Sequence, residues 1–349
     1  MTTYVPALDG TPEENGAELR RLLAYPPGRL QLPEGRHVLA GGVVLTEGWA
    51  LTGSPGDPAR TSLVQAAPAE EPLLHVLGSG VRIEDLTLHV RATDAGSHDG
   101  DRWTALTVGR YLYPGDADWL DGVGVRRVHV VRDGRCPANS IAVMGAVRDL
   151  ELTGVRIRGG GTGVAVHWGA VGRSVGAITG PSYHPHRLRI RGLEVSGAYE
   201  AFYLSSVHDV TVTDVRAEDV EIGFRLLPGD NTDRFHDAAG SSPVSRGIEV
   251  RGCELGWSGR LYAFRVAGWG RSEVDHRVTR LDYRDLTVDD IRIRPRPVPG
   301  ANGHAGPRVA VVVENAGPVR FGGITLDDGP GVLPARIDGR DVPLSSLSR

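Results

Sequence analysis

The sequence predicts an all-β chain: a single-stranded, right-handed parallel β-helix of about ten coils, with a helix covering its N-terminal end. Three observations carry this. The first is a repeat. From about residue 81 to 328 the chain returns to one phrase: an alternating apolar run, a polar or glycine break, then a second alternating run. VRDLELTGVRIRGGGTGVAVHWG at 147–169 is followed by PHRLRIRGLEVSGAYEAFYLSS at 185–206, VHDVTVTDVRAEDVEIGFRLLPG at 207–229 and RGIEVRGCELGWSGRLYAFRVAG at 246–268. Leu188 and Val210 start two of these phrases 22 residues apart. A period of 20–25 residues with strand alternation implies a solenoid, in which each repeat buries its apolar side only against its neighbours. The second is length: 349 residues are many for one compact core, a limit that a solenoid escapes by growing along an axis. The third is turn chemistry, with 48 Gly and 23 Pro to serve many short connections. Crossovers between parallel strands fix the right hand.

Taken in order, residues 12–24 (PEENGAELRRLLA) predict an amphipathic helix. Pro12 and the early acids suit its first turn, and Leu19, Leu22 and Leu23 form its apolar stripe. Such a helix closes an open solenoid end, so residues 1–35 read as an N-terminal cap. The coils run from 36 to 328, and 329–349 reads as a C-terminal cap or tail. The whole is one domain, and the Pro-rich stretch 295–307 reads as a protruding loop.

The helix NGAELRRLL, followed by LQLPEGRH and LTEGWALTGS, resembles the N-terminal segment of the pectate-lyase-like superfamily of right-handed parallel β-helices, and the resemblance extends over residues 9–328. It implies the fold and a carbohydrate-like substrate. It leaves the reaction open, because that superfamily includes lyases, hydrolases, epimerases, esterases and tailspikes. Only five Asn occur, so an internal asparagine ladder is not expected.

Composition narrows the function. A net charge of −4 with mixed signs argues against a nucleic-acid partner. All 39 basic residues are Arg, which excludes lysine as base, nucleophile or Schiff-base former. No apolar run reaches membrane-spanning length and the N-terminus lacks a signal-peptide pattern, so a cytoplasmic protein with no membrane partner is expected. Cys136 and Cys253 are expected as reduced thiols. Without a nucleotide fingerprint the expected enzyme is cofactor-free; the clustered oxygens at 229–237 could otherwise take Ca²⁺, and His184 and His186 with His236 a transition metal.

Alternation also sorts side chains. Aligning the second strand of each repeat puts Val164, Phe202, Phe224 and Phe264 in one inward column and Val166, Leu204, Leu226 and Val266 in the next. Ala165, Tyr203, Arg225 and Arg265 then form an outward file, beside His167, Ser205, Leu227 and Ala267. Two stacked arginines repel unless an anion or acidic side chains lie between them. They read either as a clamp for a substrate's anionic group or as partners of nearby carboxylates. Insertions at 168–186, 228–245 and 268–280 leave successive coils at equivalent points and are expected to wall a groove over this file.

The chemistry-bearing residues concentrate there. His167 beside Trp168 suits sugar stacking with acid–base work. Tyr183, His184 and His186 stand in YHPH, which resembles the Y…DPH segment of alginate C5-epimerases. There a tyrosine and a histidine exchange protons at a carbon beside a carboxylate. The family's Asp is His184 here, and its lysine has no counterpart. GDNTDRFHD brings Asp230, Asp233, Arg234, His236 and Asp237 together, and its NTD is similar to the NTDG of polygalacturonases. Asp275 and His276 lie in the third insertion, and His98, Asp99 and Asp101 in an earlier loop.

The expected function is therefore a lyase, epimerase or isomerase working by proton transfer on a carbohydrate-like or polyhydroxylated anionic small molecule, such as a specialised-metabolite intermediate. His167, His186, Tyr203, Arg225, Asp233 and His236 would be catalytic. Trp168, Tyr183, His184, Asp230, Arg234, Arg265, Asp275 and His276 would bind substrate. The alternatives are a glycoside hydrolase with paired Asp residues and a non-catalytic glycan-binding or tailspike-like β-helix.

Overall fold

The computed structural model describes residues 1–93, 102–174, 177–227, 245–271, 278–280, 283–298, 308–314, 316 and 319–347. Among them the chain forms one right-handed parallel β-helix. The front sheet holds ten parallel strands, from Val43–Leu45 to Val332–Ile337 in strict chain order, and an antiparallel eleventh, Arg340–Val342. The rear sheet carries the longer strands, among them His186–Ser196, His208–Val220, Arg246–Trp257 and Arg284–Pro295.

The N-terminal helix spans Pro12–Leu23. Thr11 and Glu14 close a capping box, Pro12 opens the first turn, and Leu19 and Leu22 are buried against the first coils. The β-helix exceeds the bounds drawn from sequence at both ends. Thr3–Tyr4 already pairs with Arg29–Gln31, and Val332–Ile337 forms a further rung on Arg308–Glu314. The alternation in VLPARI is too short and too interrupted by Pro334 to register as a strand in the sequence.

The expected register is observed. Phe202 pairs with Phe224 and Phe224 with Phe264 in parallel strands. Their rings stack 5.0 and 5.3 Å apart and are fully buried, as one coil spacing requires. The break in each repeat is a left-handed corner. Asp85, Arg127, Gly154, Gly192, Asp214, Gly252 and Asp290 align coil over coil with φ between 49° and 65°. Asp and Gly are the residues that tolerate this region, and they serve here where an asparagine ladder was not expected. Arg127 takes the position because its guanidinium reaches Asp85 of the preceding coil at 2.5 and 2.7 Å.

Candidate functional site

The front strands end at His167, Ser205, Leu227 and Ala267, and the chain then turns toward the rear sheet. This hand-over corner gathers the chemistry. Ala165, Tyr203, Arg225 and Arg265 are successive register partners, so the outward file exists as the alternation implied.

Its arginines do not stand alone. Arg225 donates through Nε and Nη2 to the two oxygens of Glu200, each at 2.8 Å, and Thr162 donates to the same carboxylate at 2.9 Å. Burial by itself would lower the Arg225 pKa, but the Glu200 carboxylate outweighs it and holds the guanidinium charged. Complete burial pushes Glu200 above the ordinary carboxylate value, against the pull of Arg225. Arg265 donates to Glu314 at 2.6 and 3.1 Å and lies 5.4 Å from the Tyr262 ring. The two arginines thus carry their own counter-charges, and the file is close to neutral. Sequence reasoning missed Glu200, although a lone acid in the apolar AYEAFYLSS was the available signal.

Tyr203 sits between a base and a cation. The Arg225 guanidinium lies 4.4 Å above its ring, and the His167 ring lies 5.9 Å away. His167 Nδ1 is 2.8 Å from the Trp168 carbonyl, which can only accept. The proton is therefore assigned to Nδ1, leaving Nε2 as the basic nitrogen. Tyr111 packs edge-on against the same ring at 5.2 Å.

Trp168, Tyr183 and His184 require a correction: they are 1%, 2% and 0% exposed, so they do not present side chains to a ligand in a groove. The first insertion folds down as a hairpin, Gly169–Gly172 against Ile178–Tyr183, which pairs with Leu112–Tyr113. Tyr183 accepts from the Ala117 amide at 2.9 Å and packs on Tyr113 and Trp119. The sequence could not show this, because the partners lie some 66 residues upstream. His184 Nδ1 is 3.0 Å from His208 Nε2 in a buried pair. Burial drives His184 down to about 3 and His208 down to about 4, with like-charged neighbours adding to both. His186 is half-buried at the start of the rear strand, its Nδ1 3.0 Å from the His184 carbonyl and its ring 4.7 Å from Trp119.

In the third insertion Trp269–Arg271 pairs antiparallel with Val278–Arg280. Asp230, Asp233, Arg234, His236, Asp237, Asp275 and His276 lie outside the described residues, as do His98, Asp99 and Asp101. Among the described residues no group of three or more His, Cys, Asp or Glu forms a metal-binding cluster.

The overall coordinates are similar to solved β-helical proteins. The endo-xylogalacturonan hydrolase of Aspergillus tubingensis aligns over 99% of this chain and 94% of its own, at 12% identity and a TM-score of 0.51. The A-module of the Azotobacter vinelandii mannuronan C-5 epimerase AlgE6 aligns over 90% and 94%, at 12% identity and 0.43. The catalytic domain of a GH87 α-1,3-glucanase in complex with nigerose aligns over 96% and 68%, at 10% identity and 0.47. No protein-family model matches the chain, and no curated protein matches it in sequence. At these identities the likeness shows the fold alone, a right-handed parallel β-helix.

Proposed function

We propose that the chain is a carbohydrate-active enzyme that moves a proton at the carbon beside a carboxylate of a polyhydroxylated anionic substrate, without a cofactor. The observation that carries this reading is the His167–Tyr203–Arg225 arrangement: a base of fixed tautomer, a phenol, and a cation held against the phenol ring. His167 Nε2 takes the carbon-bound proton, and the electron pair moves toward the carboxyl group as an enolate. Arg265, anchored by Glu314, lies along the same file to stabilise that charge. Tyr203 then returns a proton to the carbon, giving epimerisation. Alternatively it protonates a β-oxygen as that bond breaks, giving elimination. Arg225 favours the phenolate left behind.

The similar endo-xylogalacturonan hydrolase is named for a galacturonan, which supports galacturonate oligosaccharides as first probes. Incubation in D₂O is expected to place deuterium beside the carboxylate or to generate the absorbance of an unsaturated uronate. His167→Ala and Tyr203→Phe should each lower that rate by about 10²-fold or more. New reducing ends without deuterium or unsaturation would overturn the reading in favour of a hydrolase, with Asp230, Asp233 and Asp275 as its candidate acids. Unchanged turnover in His167→Ala would remove the assigned base.

A further inference from the structure

Beyond the left-handed corner each rear strand continues as a short segment whose residues alternate inward and outward. Val130, Ile157, Val195 and Ala217 point into the core. Their neighbours on either side face outward in two files that cross four coils. Register aligns His129, Arg156, Glu194 and Arg216 in one file, and Val131, Arg158, Ser196 and Glu218 in the other. These side chains line an open cavity of about 280 Å³. It lies on the rear sheet, whereas His167, Tyr203 and Arg225 belong to the front sheet. Most of the charge around the cavity is matched. Arg156 Nε is 3.1 Å from Glu194, and Glu218 lies 3.1 Å from Arg296 and 3.7 Å from Arg216. Arg158 is the exception. It is exposed, its register neighbours are Val131 and Ser196, and among the described residues it makes no ion pair and no side-chain hydrogen bond. The Ser196 hydroxyl and the His129 ring make no hydrogen bond among the described residues either. Burial, with Arg156 adding to it, lowers the His129 pKa from the ordinary 6.5, so the ring is neutral at pH 7.

We propose that this cavity is a second ligand site, for a small aromatic monocarboxylic acid. One spare guanidinium matches one carboxylate and can hold it through two parallel N–H···O bonds. A phosphate or a dicarboxylate would bring further negative charge, which Glu194 and Glu218 oppose. The Ser196 hydroxyl stands one coil from Arg158, about 4.8 Å away along the file, and can donate to a carboxylate oxygen. Val131 and the methylene stems of Arg156 and Arg158 supply an apolar wall. The neutral His129 ring offers a face for the ligand's own ring. Pockets for drug-sized molecules span about 300–1,000 Å³, so a cavity of about 280 Å³ suits a ligand of a single ring. The site stands on its own geometry and does not depend on the reaction proposed for the front face.

The probe is 4-hydroxybenzoate, compared with phenol, inorganic phosphate and D-galacturonate by ligand-observed NMR and calorimetry at low ionic strength. The parent chain should bind 4-hydroxybenzoate with a Kd of about 1 mM or tighter, and phenol much more weakly. Arg158→Gln should weaken binding about tenfold or more, because it removes the charge-assisted pair. Arg189→Gln changes an exposed arginine of the same sheet on the other side of the left-handed corner, and should leave binding unchanged. Both side chains are exposed, so both variants should melt with the parent. Val131→Asp sets a carboxylate beside Arg158 and should abolish binding. The site is overturned if 4-hydroxybenzoate does not bind, if phenol binds as tightly, or if the two arginine variants weaken it equally. Displacement by phosphate or galacturonate at matched concentration would also overturn it, by showing an anion held without regard to its ring.

Discussion

Glu200 carries the heaviest electrostatic demand on the front face. Its side chain is 5% exposed, and Arg225 and Thr162 engage both oxygens. Removing one member of a buried pair leaves the other charge uncompensated, a cost of about 3–5 kcal/mol. With Arg225 about one-third exposed, the lower end applies, and Glu200→Ala should lose about 3 kcal/mol in urea unfolding. A loss under about 1 kcal/mol would show solvent already compensating Arg225. The buried histidines set a pH dependence. His184 and His208 titrate near 3 and 4 in the folded chain against 6.5 as the ordinary value, so the unfolded chain binds more protons between those limits. Their contribution to stability is complete above pH 6.5 and is lost as pH falls toward 4, at up to about 1.4 kcal/mol per pH unit for each. Urea midpoints across this window should fall with pH, and His208→Gln should flatten the slope. A parent slope no steeper than the variant's would contradict a neutral buried pair.

At the scale of single elements, the corners decide how a coil closes. Gly192 has φ of 65°, and a Cβ there would meet nothing nearer than 3.7 Å, so its cost is conformational alone. Gly192→Ala should lose about 1 kcal/mol. Gly259 is the opposite case. A Cβ there would fall 1.7 Å from the Glu221 carbonyl, which accepts the Trp257 indole N–H at 2.9 Å. Gly259→Ala should cost several times more, and equal losses in the two variants would refute this contrast. These corners were half-legible. The polar or glycine break in each phrase marked where a turn falls. That Arg127 could hold a left-handed position depends on Asp85, 42 residues upstream, and no local pattern carries such a pair. The outward file was legible because strand alternation has a period of two. The burial of Trp168, Tyr183 and His184 was not, because it depends on Leu112–Tyr113 and Trp119 packing from another coil.

For the molecule as a whole, a solenoid is stable only where each rung meets another rung or a cap. At the N-terminal end that cap is the helix Pro12–Leu23, whose Leu19 and Leu22 are buried in the core that contains Leu39, Val43 and Leu45. Val43–Leu45 pairs on one side only, with Leu74–Val76, so without the helix it would expose both an apolar surface and a free strand edge. Leu19→Asp should therefore detach the cap while later coils, including the Phe202–Phe224–Phe264 stack, keep their packing. Far-ultraviolet circular dichroism should retain the β signal, and light scattering should show mass rising with concentration relative to the parent chain. Thr11→Ala, which removes only the capping hydroxyl, should lose about 1 kcal/mol without that association. Leu19→Asp chains that match the parent in both mass and unfolding midpoint would mean that the first coils are stable uncapped, and that the helix is an appendage instead of a cap.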